Sequence, residues 1–250
     1  MTLYGAENTK VFDLAFYALL PAAGAGTRFL GEAPKQYLPI AGKPMLWHAV
    51  NALLTPPIEN VFVVLAPGDT LYARIDWGAL GGRIEPLYCG GESRRDSVYN
   101  GMVAAMAAVE ANDWMLVHDA ARPCLPRADL ERLIAETGQD LIGGLLALPV
   151  ADTVKRVAKD EGGVQRIAGT EDRSQLWLAQ TPQMFRCGLL MQALKAARAT
   201  VTDEAAAIEQ MGLRPRMVLG SRENIKVTFP EDLSIAEAIL AGRNARGGQR

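Results

Sequence analysis

Short apolar runs alternate with helical stretches along most of this 250-residue chain. Strand-like runs occupy residues 16–21, 60–65, 83–88, 114–118, 142–149 and 216–220. Helical patterns lie between them, at residues 45–54, 97–110, 127–137, 187–198 and 203–211. Such alternation predicts an α/β fold with a mostly parallel, Rossmann-like sheet and helices on both faces. Ligands of such sheets bind beyond the carboxyl ends of the strands, so residues that directly follow strands are candidates for a binding site.

One segment departs from this alternation. Residues 152–158 and 164–169 each alternate polar and apolar side chains, and Lys-Asp-Glu-Gly-Gly separates them at 159–163. This pattern predicts a β-hairpin, which we expect to form a protruding arm at about 150–172. An isolated two-stranded hairpin is only marginally stable in water, so the arm is expected to pack against a partner chain.

Composition restricts the class of protein. The formal net charge is −2, so no overall basic field points to a nucleic acid partner. The three cysteines, Cys89, Cys124 and Cys187, are irregularly spaced. This spacing suits neither a zinc site nor a disulfide framework, and it fits a reducing compartment.

The ends of the chain are polar, and no apolar stretch approaches the roughly 20 residues that span a bilayer. Residues 1–13 carry charges and lack the apolar region of a signal peptide. We therefore expect a cytoplasmic protein with no membrane partner. We expect one domain over residues 15–240, an N-terminal extension over 1–14 and a polar C-terminal tail over 241–250.

The first apolar run leads into a loop of small residues from Pro21 to Gly26. Glycines let a loop turn sharply and bring its N–H groups against a ligand. Arg28 and Lys35 follow, and these side chains suit phosphate because arginine grips it bidentately and lysine acts as a point charge. The sequence thus predicts a loop that binds a nucleoside triphosphate.

Two better-known glycine-rich loops are excluded by the residues present. A dinucleotide-binding fingerprint needs a third glycine three residues after the second. Here Gly24 and Gly26 are the first two, and Phe29 occupies the third position. A Walker A loop needs Ser or Thr after Gly-Lys, but Pro44 follows Gly42-Lys43. An ordinary strand-to-helix turn remains the alternative, and the spacing of the two cations favours phosphate binding over it.

A second glycine pair, Gly90-Gly91, follows a strand and opens a helix. With Arg94 it suits a loop that wraps a base or a phosphate. Alternatively, Asp96 or Ser97 is simply the N-cap of the helix. The sequence leaves these two interpretations equally open.

Residues 118–123, His-Asp-Ala-Ala-Arg-Pro, place a carboxylate and a guanidinium at the end of a strand. Asp119 there suits ribose hydroxyls or Mg²⁺, which prefers oxygen ligands and phosphates. The alternative is a surface ion pair between Asp119 and Arg122, worth little energetically. His118 and His48 are the two histidines of the chain, and we expect both to be structural.

Three later segments carry further candidates. Arg173 is expected to face a ligand at the exit of the hairpin, whereas Leu176 and Trp177 are expected to be packing residues. Thr202-Asp-Glu204 has the composition of a helix start. Lys226 either is solvated or binds phosphate.

Taken together, these segments resemble the 2-C-methyl-D-erythritol 4-phosphate cytidylyltransferase family of the non-mevalonate isoprenoid pathway. The matching motifs occur in family order at residues 21–28, 34–37, 90–98, 118–123, 149–153, 180–183, 202–204 and 224–226. Any one of them is a weak signal, but eight in register across about residues 15–240 are strong.

The resemblance implies a site for CTP. The predicted nucleotide-binding residues are Pro21, Ala22, Ala23, Gly24, Gly26, Gly91, Glu92, Arg94, Ser97 and Asp119. Arg28 and Lys35 would stabilise the charge that develops at the α-phosphorus. Magnesium would be held mainly by the CTP phosphates, with Asp119 as a candidate protein ligand.

The resemblance also implies a second-substrate pocket and a homodimer with exchanged arms. The predicted pocket residues are Ala120, Arg122, Thr153, Arg173, Thr181, Thr202, Glu223 and Lys226. Arg173 and Lys226 would hold the attacking phosphate, and Thr153 and Arg173 would serve the active site of the partner. At Glu223 the family usually has aspartate, so its contact with substrate hydroxyls is left open.

The implied reaction joins CTP and a polyol phosphate, giving a CDP-polyol and pyrophosphate. The acceptor implied is 2-C-methyl-D-erythritol 4-phosphate. Three alternatives stay open: transfer to another polyol phosphate such as ribitol 5-phosphate, nucleotidyl transfer to a sugar 1-phosphate, and a nucleotide-binding regulator without chemistry. The Gly-Gly-x-x-Arg-x-x-Ser segment from Gly90 argues against the sugar 1-phosphate, and the retained phosphate-binding cations argue against the regulator.

Overall fold

The computed structural model describes residues 14–24, 34–198 and 201–247, and it contains three β-sheets in these ranges. The strands are β1 (Phe16–Pro21), β2 (Pro39–Ile40), β3 (Lys43–Pro44), β4 (Ile58–Val64), β5 (Ile84–Leu87), β6 (Trp114–Val117), β7 (Gly143–Pro149), β8 (Lys155–Lys159), β9 (Gln165–Thr170), β10 (Trp177–Arg186) and β11 (Arg216–Leu219). The helices are α1 (Met45–Leu53), α2 (Arg94–Ala105), α3 (Arg127–Thr137), α4 (Cys187–Ala196), α5 (Glu204–Gln210) and α6 (Asp232–Gly247).

The central sheet has seven strands in the order β11-β7-β10-β6-β1-β4-β5. All pairs are parallel except those of β10, which runs antiparallel to β6 and β7. The expectation of a mostly parallel sheet is therefore confirmed. The sequence did not predict β10, because proline in a ladder argues against a central strand. Here Pro182 is accommodated by an irregularity between Ala179 and Gln183.

Helices cover both faces of the sheet, as predicted. Leu20 packs in the apolar cluster that contains residues of α1 and α3. Its neighbour Leu19 points the other way, into the cluster formed with α2, α4 and α5. Successive residues of a strand face opposite sides, so a strand covered on both faces is apolar throughout, and Ala18, Leu19 and Leu20 are fully buried.

The last helix, α6, packs in a third apolar cluster with the buried residues Ile40 and Cys124. It continues to Gly247 and thus includes most of the segment from 241 that was expected to be a polar tail. Arg243 secures this part of the helix, since its guanidinium donates to the Cys124 carbonyl at 2.7 Å and to Glu223 Oε2 at 2.8 Å. Within the described residues, no helix is both long and apolar enough to cross a membrane.

The predicted hairpin is present as the separate two-stranded sheet of β8 and β9. Asp160 closes its turn by accepting bonds from the Gly162 and Val164 N–H groups, and Gly163 supplies the positive φ of +77° that the turn requires. At the start of β10, Trp177 is 39% exposed and Leu176 is 37% exposed. Both side chains are thus mostly covered but not part of the core, and their packing role stays a prediction.

Candidate active site

A cavity of about 410 Å³ lies beyond the carboxyl ends of β1, β5 and β6. It is lined by Pro21, Ala22, Ala23, Gly24, Lys35, Gln36, Gly91, Glu92, Ser93, Arg94, Ser97, Asp119, Ala120, Ala121 and Lys226. The cavity thus brings together nine of the ten predicted nucleotide-binding residues, with Lys35, Ala120 and Lys226. The tenth, Gly26, and the predicted catalytic Arg28 lie outside the described residues.

The glycine pair after β5 allows two walls of the cavity to touch. A Cβ on Gly90 would clash with the Ala23 side chain and lie 2.9 Å from the Leu65 carbonyl oxygen. A Cβ on Gly91 would lie 2.5 Å from the Asp96 Cβ. Neither contact can be relieved cheaply, so both positions require glycine for close approach.

The helix that follows this pair, α2, is capped by Ser93 and not by one of the two residues expected from the sequence. Ser93 Oγ accepts a bond from the Asp96 N–H at 3.1 Å, so Ser93 is the N-cap of α2. The suggestion that Asp96 or Ser97 caps the helix is wrong. Ser97 instead lines the cavity, and its Oγ accepts from the Gly91 N–H at 3.1 Å.

The short 3₁₀ turn Lys35–Tyr37 supplies a second wall. Lys35 Nζ donates to the Val227 carbonyl at 3.0 Å, which places its charge next to the segment that carries Lys226. The buried Gln36 donates to the Ala22 carbonyl at 2.7 Å and so fixes the loop after β1. Gln36 belongs to one of the family motifs, but its bond to Ala22 could not be predicted from the sequence. The two residues are 14 positions apart and meet only in the folded chain.

Asp119 lies at the centre of a cationic cluster. Its Oδ1 accepts from Arg94 Nε at 2.9 Å, its Oδ2 lies 2.8 Å from Lys226 Nζ, and Arg122 Nε is 3.7 Å from Oδ2. Burial alone would raise the pKa of this carboxyl, but the charges of Arg94, Lys226 and Arg122 hold the pKa well below its usual range. Asp119 and Arg122 are both buried, so the alternative of a surface pair is wrong.

Arg94 joins Asp119 to a second carboxylate, that of Glu204, which lies 110 residues after Arg94 in the sequence. Its two terminal nitrogens donate to Glu204 at 2.6 and 3.0 Å, forming a bidentate pair. Glu204 is buried in the first turn of α5. Burial lowers the pKa of Arg94, but the two carboxylates outweigh it and raise the pKa above its ordinary value.

His118 is structural, as expected. Its Nε2 lies 3.1 Å from the Arg122 carbonyl, which only accepts, so Nε2 carries the proton. Its Nδ1 then accepts from Thr181 Oγ at 3.0 Å, and Thr181 Oγ accepts in turn from the Asp119 N–H at 3.0 Å. Burial lowers the pKa of His118 to about 4, so the ring is neutral at pH 7 and holds the loop that carries Asp119.

A second cavity of about 410 Å³ adjoins the first. It is lined by Arg122, Leu148, Pro149, Val150, Ala151, Asp152, Leu178, Ala179, Gln180, Arg222, Asn224, Ile225 and Lys226. Lys226 lines both cavities. The Asn224 side chain donates to the Thr181 carbonyl at 2.8 Å, and Arg122 donates to the Asn224 carbonyl at 2.6 Å. Of the predicted second-substrate residues, Arg122 and Lys226 line this cavity, and Thr181 is bonded to its lining residue Asn224.

Ala120 lines the first cavity, whereas four other predicted second-substrate residues line neither cavity: Thr153, Arg173, Thr202 and Glu223. Thr153 and Arg173 are exposed at the base of the arm, and Thr202 is exposed before α5. The Glu223 carboxylate accepts from Arg243 Nε and Nη2 at 3.0 and 2.8 Å, which directs it towards α6.

The described residues do not form a complete set of ligands for a metal ion by themselves. No group of three or more His, Cys, Asp or Glu side chains in residues 14–24, 34–198 and 201–247 could hold a metal ion. Magnesium is usually bound by one or two carboxylates together with substrate phosphates and water. Asp119 lines the cavity as one such carboxylate, so the donor set fits a magnesium ion that arrives with a nucleotide.

The chain matches the family model of IspD, 2-C-methyl-D-erythritol 4-phosphate cytidylyltransferase, over residues 16–242. It belongs to the IspD family. The proteins of this name from Dechloromonas aromatica and Laribacter hongkongensis are each 53% identical to it. Each alignment covers 91% of this chain, with 98% and 97% of the respective relatives.

Solved structures of IspD proteins share the fold. A crystal structure of 4-diphosphocytidyl-2C-methyl-D-erythritol synthase superposes with a TM-score of 0.79 at 38% identity, covering 91% of this chain and 99% of that one. The IspD structure from Francisella tularensis gives a TM-score of 0.74 at 33% identity, with 90% and 99% coverage. The α/β fold expected from the sequence is thus the IspD fold.

Proposed function

We propose that this protein transfers the cytidylyl group of CTP to 2-C-methyl-D-erythritol 4-phosphate, in non-mevalonate isoprenoid biosynthesis. The products are 4-diphosphocytidyl-2-C-methyl-D-erythritol and pyrophosphate. The observation that carries the proposal is the cavity at the sheet edge, where the glycine loops, Lys35, Asp119 and Lys226 converge in a chain of the IspD family.

The reaction forms a bond between the acceptor phosphate oxygen and the α-phosphorus of CTP, while the bond to pyrophosphate breaks. A phosphate monoester has its second pKa at about 6 and is largely dianionic at pH 7, so no general base is needed. The site agrees with this chemistry, because the one histidine near Asp119 is buried, neutral and already bonded on both ring nitrogens. Catalysis then depends on positioning and on neutralising oxygen charge.

Lys226 is proposed to orient the acceptor, and its place in the lining of both cavities supports this role. We assign the cavity that holds the glycine loops to CTP and the adjoining cavity, with Arg122, to the polyol phosphate. Lys35 and Arg28 are proposed to stabilise the charge at the α-phosphorus. Glu92 and Ser97 are proposed to line the nucleotide side of the site.

Magnesium is the proposed cofactor. Bound to the triphosphate, it would neutralise phosphate charge, and the Asp119 carboxylate would hold it on the protein side. In the present structure that carboxylate pairs with Lys226 and Arg94. A chelator such as EDTA is therefore expected to abolish pyrophosphate release, and added Mg²⁺ to restore it. Full activity in excess chelator would contradict this assignment.

A homodimer with exchanged arms is the proposed assembly. Val157 and Ile167 are opposite each other in the hairpin and are 54% and 68% exposed, so the arm carries an uncovered apolar cross-strand pair. Such a pair fits burial against a second copy of the chain. Thr153 and Arg173, exposed at the base of the arm, are then proposed to reach the active site of the partner.

We propose that the protein is cytoplasmic, because Cys89, Cys124 and Cys187 are all unpaired thiols.

The deciding experiment measures pyrophosphate release from CTP and Mg²⁺ with methylerythritol 4-phosphate and ribitol 5-phosphate in parallel. Turnover with the methylated tetritol phosphate supports the proposed acceptor. Preference for ribitol 5-phosphate would reassign the acceptor, and CTP binding without pyrophosphate release would indicate a regulator.

A further inference from the structure

Arg94 is held between the carboxylates of Asp119 and Glu204, and Glu204 is not among the predicted substrate-binding residues. Glu204 is 1% exposed and lines neither cavity. Its two oxygens accept from Arg94 Nη1 and Nη2 at 2.6 and 3.0 Å. The third nitrogen, Nε, donates to Asp119 Oδ1 at 2.9 Å. All three nitrogens of the guanidinium are therefore engaged.

The geometry at Asp119 depends on this arrangement. A guanidinium fork that is not otherwise occupied pairs bidentately with a carboxylate and takes both oxygens. Because Glu204 occupies the fork, Arg94 reaches Asp119 through Nε alone. Oδ2 of Asp119 is thereby left to Lys226, 2.8 Å away at the junction of the two cavities.

Glu204 is itself fixed by β10. Gln183 Oε1 accepts from the Ala205 N–H at 2.8 Å, and Gln183 Nε2 donates to Asp203 Oδ2 at 2.9 Å. Asp203 is the N-cap of α5 and accepts from the Ala206 N–H at 2.9 Å. The first turn of α5 is thus anchored to the sheet on both sides of Glu204. A helix N-terminus also favours a carboxylate in its first turn.

We propose that Glu204 is a positioning residue of the active site, which occupies the fork of Arg94 so that Asp119 keeps one oxygen for Lys226 and the nucleotide side of the cavity. The inference rests on the proposed cytidylyl transfer. Glu204 touches no substrate, and its effect on the reaction passes through Arg94.

The test is a double-mutant cycle of Glu204→Gln and Arg94→Gln, with kcat and KM measured for CTP and for the polyol phosphate. Glu204→Gln is expected to lower kcat/KM for CTP about 10- to 100-fold, as loss of a supporting contact does in other sites. Because Glu204 acts through Arg94, the double variant should fall no more than about threefold below Arg94→Gln. Glu209→Gln, an exposed carboxylate of the same helix, is the matched control and should leave both constants unchanged.

Two outcomes overturn the proposal: a Glu204→Gln enzyme within about twofold of the wild type, or losses that multiply in the double variant. If Glu204→Gln does not fold, as judged by circular dichroism, Glu204→Asp replaces it. This variant keeps the charge but withdraws the carboxylate, so an intermediate kcat/KM is expected and a wild-type value overturns the proposal.

The Nη–H signals of Arg94, from the two nitrogens that donate to Glu204, provide an NMR readout without turnover. Their protection from exchange should be lost in Glu204→Gln and kept in Glu209→Gln, and retained protection in Glu204→Gln would overturn the proposal. An inactive wild-type enzyme with this pattern would refute the proposed function and leave the positioning of Arg94 supported.

Discussion

Protonation of His118 is expected to destabilise the protein as the pH falls from 7 to 5. Burial lowers the pKa of this ring from 6.5 to about 4 in the folded chain. Between these values the unfolded chain binds more protons than the folded one, so the free energy of unfolding decreases as the pH decreases. The difference of about 2.5 pH units corresponds to about 2 kcal/mol lost between pH 7 and pH 5, and about 3 kcal/mol by pH 4.

Urea unfolding of the wild type and of His118→Gln, each at pH 7 and pH 5, measures this contribution. In the variant, the decrease in unfolding free energy between the two pH values should be smaller by about 2 kcal/mol. His48→Gln is the control, because His48 is only half-buried and its removal should leave most of the pH dependence in place. A His118→Gln variant with the wild-type pH dependence would refute the assignment of a buried, neutral ring.

Three further changes test other parts of the molecule. Gly90→Ala should lower Tm by about 2–12 °C through overpacking and should raise KM for CTP. Gly68→Ala is the control and should do neither, because a Cβ there meets nothing within 4 Å. Equal effects of the two variants on Tm would contradict the clash at Gly90. Lys35→Ala should lower kcat at least about 10²-fold, by analogy with removal of one stabilising donor, while Lys43→Ala outside the cavity should not; near wild-type kcat in Lys35→Ala would refute its role. Ile167→Asp should raise the dimer dissociation constant at least about 10²-fold in sedimentation experiments, because two copies of a buried side chain are lost, and an unchanged constant would refute the arm interface.

Local sequence patterns were sufficient for most of the fold. The boundaries of β1 and α3 coincide with those expected, because apolar runs and helical periodicity are local signals. β10 was not predicted, because its central residues, Gln180 to Pro182, leave the ladder with β7 and interrupt the apolar pattern of a strand. The hairpin was predicted, but the exposure of Trp177 beside it depends on which surfaces the rest of the chain covers.

The active site, like the fold, could be predicted from the sequence only in part. Loops that directly follow strands were recognisable, and they meet at one cavity because parallel strands end at one edge of the sheet. Glu204 was recognised as part of a helix start and of a family motif, but its pairing with Arg94 was not predicted, since Arg94 is 110 residues away and no local pattern joins them. Glu223 was expected near substrate, and its pairing with Arg243 depends on how far α6 extends.

The four residues from Gln180 to Gln183 tie together segments that are far apart along the chain. Gln180 donates to the Ser221 carbonyl, Thr181 accepts from the Asp119 N–H, and Gln183 accepts from the Ala205 N–H. Local opening of β10 would release all three attachments at once, so it is one event that loosens these loops together. The amide protons of Asp119 and Ala205 should then exchange with solvent through a single shared opening, which makes the site one cooperative unit of the fold.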